Sequence, residues 1–181
     1  GAEGEGSNEG EGGDRFAGPR DDVSMGDLST VPHEYRIAAT EQEQIALANE
    51  LAGLRKFCFD TETDDLDLQK AGLVGLSFSW KAHEGWYVPV PAGKEKAQAV
   101  VERFRAVLEH EGITKVAQNL KYDMLVLERY GVRVAGPQFD TMLAHFLLES
   151  DLRHGMDYMA ETLLHYKPKP ITDLIGPKGK G

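Results

Sequence analysis

Lys56-Phe57-Cys58-Phe59-Asp60-Thr61-Glu62 is a short, almost wholly apolar run that ends in two carboxylates. A run of this length and composition is expected of a central buried strand. In a strand, side chains two positions apart point to the same side, so Asp60 and Glu62 emerge together at the strand's end. Two carboxylates held that close repel each other and resist ionisation unless something neutralises them. Divalent cations do so well, and hard oxygen donors suit Mg²⁺ or Mn²⁺. A solvated strand end followed by the acidic turn Asp64-Asp65-Leu66-Asp67 explains the triplet equally well by itself. Cys58, set between two phenylalanines, reads as a small buried hydrophobe rather than a reactive thiol.

Outward from this run, residues 35–39 predict a short strand, and Thr40 an N-cap for a helix to about Leu54. Glu43, three residues after Thr40, completes a capping box. Residues 73–80 and 85–90 predict two more strands, whose short polar connectors point to an antiparallel meander. The periodicity then becomes helical. Residues 94–110 place Ala97, Val100, Val101, Phe104, Val107 and Leu108 on one face. Residues 114–117 predict a strand, and Asn119 a cap for a helix that Gly131 stops. A strand closing at Phe139, a helix capped by Asp140, and a last helix from about Met156 to His165, ending before the breakers Pro168 and Pro170, complete the pattern. Strands first and strand–helix alternation later give a mixed α/β sheet.

The whole chain, 181 residues with 41% hydrophobic content, is long enough for one domain with a core. No apolar run approaches the ~20 residues of a membrane span, and no signal-peptide pattern opens the chain, so a cytoplasmic location is expected. One cysteine excludes an intramolecular disulfide and a multi-cysteine zinc site. Net charge is −10, which argues against a broadly basic nucleic-acid surface. Residues 1–30 hold eight acids against Arg15 and Arg20, or −6, leaving −4 for the remainder. This glycine-rich stretch has almost nothing large and apolar and is expected to be a flexible linker, with folded structure from about Val31. Neither a phosphate-binding G-x-x-x-x-G-K-[ST] loop nor a G-x-S-x-G elbow is present. The histidines lack ligand spacing, and His145 and His154 are expected to face solvent or to hydrogen-bond.

Asn119-Leu120-Lys121-Tyr122-Asp123 adds a third acid, one helical turn after the expected cap. The helix macrodipole alone favours an acid there. The combination of a strand carrying D-x-E with a strand–helix junction carrying N-x-x-Y-D is more telling than either part. With FDTETDDLD (59–67), LVGLSF (73–78), NLKYD (119–123), FDTML (139–143), RHGMD (153–157) and G-P-K-G-K (176–180) in this order, the chain resembles the proofreading 3′→5′ exonuclease domain of bacterial family A DNA polymerases. The resemblance runs from about Tyr35 to the C-terminus.

The resemblance implies an RNase H-like mixed β-sheet flanked by helices, and a DEDD site, so named for four metal-binding acids. Asp60 would bridge two divalent ions (Mg²⁺ or Mn²⁺), Glu62 would hold one, and Asp123 would act on the other, partly through water. Thr61, Asn119, Lys121 and Tyr122 would meet the substrate, and Leu66 would wedge against the terminal base, although an ordinary core leucine would look the same. Implied partners are a single-stranded or frayed DNA 3′ end and the polymerase domain of the same parent chain. The family's third motif, a tyrosine followed four residues later by the fourth acid, is absent, and the resemblance puts it beyond Gly181 on a helix. The chain is therefore expected to lack that C-terminal helix and to be inactive alone. Asp140 and Asp157 read as helix-start residues, not substitutes. Rival readings are a DEDD exoribonuclease acting on RNA 3′ ends and a non-catalytic nucleic-acid-binding spacer; RHGMD and G-P-K-G-K favour the polymerase branch.

Overall fold

The computed structural model describes residues 24–65, 67–170 and 172–175. Residues 1–23 of the expected linker, Leu66 and the closing segment 176–181 lie outside the described residues. The expected start at Val31 is corrected. Strand β1 (Gly26–Asp27) already pairs in parallel with β8 (Tyr166–Lys167). The Asp27 carboxylate then accepts from the amides of Ser29 (2.9 Å) and Thr30 (3.0 Å) to turn the chain. Composition misses this because the pairing uses backbone groups and needs no apolar side chain.

The main sheet contains β2 (Glu34–Ile37), β3 (Lys56–Thr63), β4 (Leu73–Ser79), β5 (Glu84–Pro89), β6 (Thr114–Ala117) and β7 (Gln138–Asp140). Their spatial order is β2-β5-β4-β3-β6-β7. The expected meander is present: β3–β4 and β4–β5 are antiparallel, while β2–β5, β3–β6 and β6–β7 are parallel. β3 is therefore central, with an antiparallel neighbour on one side and a parallel neighbour on the other.

β3 alternates. Phe57, Phe59 and Thr61 are buried, whereas Lys56, Cys58 and Glu62 are exposed on the opposite face. On the buried face, Phe57 meets Phe78 with ring centroids 5.9 Å apart, and Phe78 stacks on Phe104 at 5.0 Å. Helices α1 (Glu41–Ala52) and α2 (Lys94–Leu108) supply Leu47, Leu51, Val100, Val101 and Phe104 to the same core. Arg103 ties the two helices together, donating to Gln44 and Glu41, each at 2.9 Å. The Thr40–Glu43 capping box forms as read. Cys58 corrects its reading: flanking phenylalanines imply burial only if both strand faces are covered, and this face is open.

The remaining helices are α3 (Leu120–Glu128), α4 (Thr141–Leu148), α5 (Met156–Leu164) and α6 (Thr172–Ile175). Asn119 does not cap α3. Its backbone is left-handed, φ +62°, a conformation asparagine tolerates better than most residues, and its side chain makes no cap bond. Asp140 performs that task from 20 residues away. Its carboxylate accepts from the amides of Asn119 (3.1 Å) and Leu120 (3.0 Å), and also from Met142 (2.9 Å) and Leu143 (3.2 Å). One side chain thus closes the first turns of two helices, fixing α3 against the end of β7. Among the described residues no helix is long and apolar enough to cross a membrane.

Candidate active site

Thr61 and Asp123 connect the two motifs. The Thr61 backbone amide donates to Asp123 Oδ1 at 2.9 Å, and the Thr61 hydroxyl donates to the same oxygen at 2.6 Å. Asp123 is 1% exposed, which places a carboxylate at the core's edge with hydrogen-bond donors supplied by β3. Asp60 and Glu62 flank Thr61 on the open face. Burial pushes the Asp60 carboxyl up to about 7, helped by the nearby charges of Asp123 and Glu62. Burial also raises Asp123, opposed by the hydrogen bonds from Thr61. None of the ion pairs among the described residues involves these three acids.

The surroundings are aromatic. The Tyr122 hydroxyl lies 2.8 Å from Thr63 Oγ1 and donates to the Asp65 carbonyl at 3.3 Å, pinning the chain as it leaves β3. Tyr87, which sequence reasoning missed, lies over Gly75, the residue paired with Glu62 across β3–β4. A Cβ at position 75 would collide with the phenol ring, so only glycine leaves room for it. Desolvation raises the Tyr87 hydroxyl, with the Glu62 charge a lesser cause. The signal was available: Gly75 interrupts an apolar strand, a mark of close approach.

Asp60 and Cys58 border a groove of about 810 Å³, lined also by Tyr35, Ser77, Trp86 and Tyr87, and by Met156 and Leu164 of α5. The Cys58 thiol is reached by solvent yet sits among enough protein atoms that desolvation raises it, with Asp60 and Asp123 adding to the effect. Lys121 is exposed on the first turn of α3. Asn119 contributes its backbone to the junction and is half-buried. Arg153 stands over the Tyr158 ring at 6.0 Å. His145 and His154 hydrogen-bond to each other, Nδ1 to Nδ1 at 2.7 Å, in agreement with one of the two roles expected of them.

A family model for the 3′–5′ exonuclease matches residues 35–175. The chain belongs to the 3′–5′ exonuclease family. DNA polymerase I of Borreliella burgdorferi is 32% identical over 158 residues, covering 84% of this chain and 17% of that polymerase. The exonuclease sequence therefore spans a small part of its curated relative. Brucella melitensis NrnC with bound Mg²⁺ aligns at TM-score 0.59 and 21% identity, covering 76% of this chain and 64% of that one. The catalytic core of RRP6 from Trypanosoma brucei aligns at TM-score 0.64 and 17% identity, covering 88% and 43%. At these identities the likeness is one of fold, and it is the RNase H-like mixed sheet read from the sequence.

Among the described residues no three His, Cys, Asp or Glu side chains stand close enough to enclose one metal ion. The chemistry of the donors nevertheless fits divalent cations. Asp60 and Glu62 on β3 and Asp123 on α3 are hard oxygen donors with no ion-pair partner among the described residues, and burial together with the charges of Asp123 and Glu62 raises Asp60 to about 7.

Proposed function

We propose that this exonuclease domain removes nucleotides from the 3′ end of DNA, as the proofreading part of a DNA polymerase I. The observation that supports the reading is Asp60 at the edge of an open groove, near enough to Glu62 and Asp123 for their charges to raise its carboxyl, with none of the three in an ion pair among the described residues. Family membership and the polymerase relative support DNA as the substrate. The Mg²⁺ carried by the similarly folded NrnC supports a divalent cofactor. Asp60, Glu62 and Asp123 would hold two such ions, Mg²⁺ or Mn²⁺. When bound, the ions would supply an activated water and stabilise the departing 3′ oxygen. The reaction is hydrolysis: a water oxygen joins the phosphorus, the bond to the 3′ oxygen breaks, and a nucleoside 5′-monophosphate leaves.

The chain's own side chains would shape the site. Asp60 borders the groove from β3, and Glu62 on the same strand face and Asp123 on α3 would complete the set of acids. Tyr122 holds the loop after β3 in place, Lys121 would meet a phosphate, and Asn119 would line the junction. Leu66 would press on the terminal base. An unpaired end is the form of substrate this reading favours, so selectivity would follow from how readily the terminus frays. On this reading, residues 1–181 supply three of the four family acids, and digestion by this chain alone is slow compared with one that includes the fourth.

A gel assay tests the proposal with 5′-labelled single-stranded DNA and RNA of the same sequence, each with Mn²⁺, Mg²⁺ or EDTA. A metal-dependent ladder from the DNA 3′ end is the expected result. Faster digestion of RNA would move the domain to the exoribonucleases, and DNA binding without digestion, even in the extended chain, would make it a spacer.

A further inference from the structure

Thr61 occupies the middle of D-x-E, and the strand turns it away from the two acids it separates, into the core, at 6% exposure. A substrate-contacting residue would face the groove; Thr61 does not. Both of its donors end on one atom, Asp123 Oδ1, at 2.9 and 2.6 Å. No basic side chain reaches Asp123 in an ion pair among the described residues. Thr61 thus bonds, across 62 residues of sequence, the one acid of the three that is held on a helix.

We propose that Thr61 is a positioning residue: by holding Asp123 Oδ1 to β3 it fixes the rotation of the carboxylate, so that Asp123 would be presented with Asp60 to a divalent cation. This rests on the exonuclease reading above and adds a role to it. An acid on a helix and an acid on a strand must agree in position to hold a common ion. Two donors from one residue, one of them the strand's own backbone, lock that agreement at its source. Removing the hydroxyl leaves a single amide bond, about which the carboxylate can swing. Partners of this kind, which orient a ligand without touching the metal, typically carry about 10- to 100-fold in metal affinity or activity.

The test uses the 181-residue chain and Mn²⁺ itself, read by titration calorimetry with thermal melting as the control for folding. Thr61→Val keeps the shape and loses the hydroxyl; its Mn²⁺ affinity should fall roughly tenfold or more. Thr61→Ser restores the donor and should bind within about threefold of the parent chain. If the valine variant does not fold, Thr61→Cys carries the comparison, because a thiol is a much weaker donor. Equal affinity in the parent chain, Thr61→Val and Thr61→Ser overturns the positioning role, as does a serine variant no better than valine. Asp60→Ala separates the two levels of the argument. If Asp60→Ala binds as well as the parent, the metal-dependent reading itself fails; if the parent chain binds no Mn²⁺, its three acids do not hold the ion and the positioning role falls for this chain. If Asp60→Ala abolishes binding while Thr61→Val does not weaken it, only the role of Thr61 fails.

Discussion

Residues 34–134 and residues 139–164 treat their apolar side chains in opposite ways. The first stretch supplies the whole hydrophobic cluster, from Ala38 to Val134, around Phe57, Phe59, Phe78 and Phe104. In the second, the helices α4 and α5 bury only His145, while Leu147, Leu148 and Leu164 are each more than 70% exposed. The difference divides labour within the site. Two of the acids stand on the central strand of the packed region, and the third stands on α3, which feeds Leu120, Val126 and Leu127 into the same core. The open region borders the groove with Met156 and Leu164. The acids are therefore held by the rigid part, and the wall beside them belongs to the loosely packed part.

The sharpest way to break this contrast is to remove a ring from the packed side. Phe104 is fully buried and stacks on Phe78, so Phe104→Ala should cost about 3–5 kcal/mol in a urea melt. A loss below 1 kcal/mol would mean that the core does not depend on α2.

The site itself should also cost stability, and pH reveals how much. Asp60 is raised from 3.8 to about 7 in the folded, ion-free protein, so folding binds a proton between those values. Its stabilising contribution is complete below about pH 4 and is lost as the pH rises through about 7. With EDTA present, the stability of wild type minus that of Asp60→Asn should fall over this window by something on the order of 1–3 kcal/mol, allowing for water that reaches the carboxyl. A pH-independent difference would show that neither burial nor the neighbouring acids perturb Asp60.

Asp140 joins the two regions, and its removal tests whether the join matters. Asp140→Ala leaves four helix-end amides of α3 and α4 without their acceptor and should cost about 1–2 kcal/mol. Asp140→Asn should recover much of this, since an amide oxygen can still accept. The smallest effect belongs to the open side: Leu147→Ser, at a position 74% exposed, should change stability by less than about 0.5 kcal/mol. A larger loss would show that α4 packs against something in solution.

What was legible in the sequence follows the same division. Local signals were read well. The capping box at Thr40, the apolar face of α2, the meander and the strand at Thr114–Ala117 depend on neighbours within a few residues. Long-range partners were not. Asn119 looked like a cap because it precedes a helix, but its left-handed backbone turns the side chain away, and Asp140 arrives through the β6–β7 pairing. Cys58 looked buried because its neighbours are, although a central strand has two faces and only one is covered here. The acids were read from type and spacing together with the family resemblance. The inward-facing Thr61 and the Tyr87 lying over Gly75 became visible only when strands and helix were brought together.

The most direct test of the central claim is digestion of a 5′-labelled single strand of DNA by this domain, extended through the fourth family acid, with Mn²⁺. The account predicts stepwise shortening from the 3′ end that EDTA stops and that Asp60→Ala reduces to background, with the variant's fold retained. Shortening by Asp60→Ala at the parent's rate would contradict it.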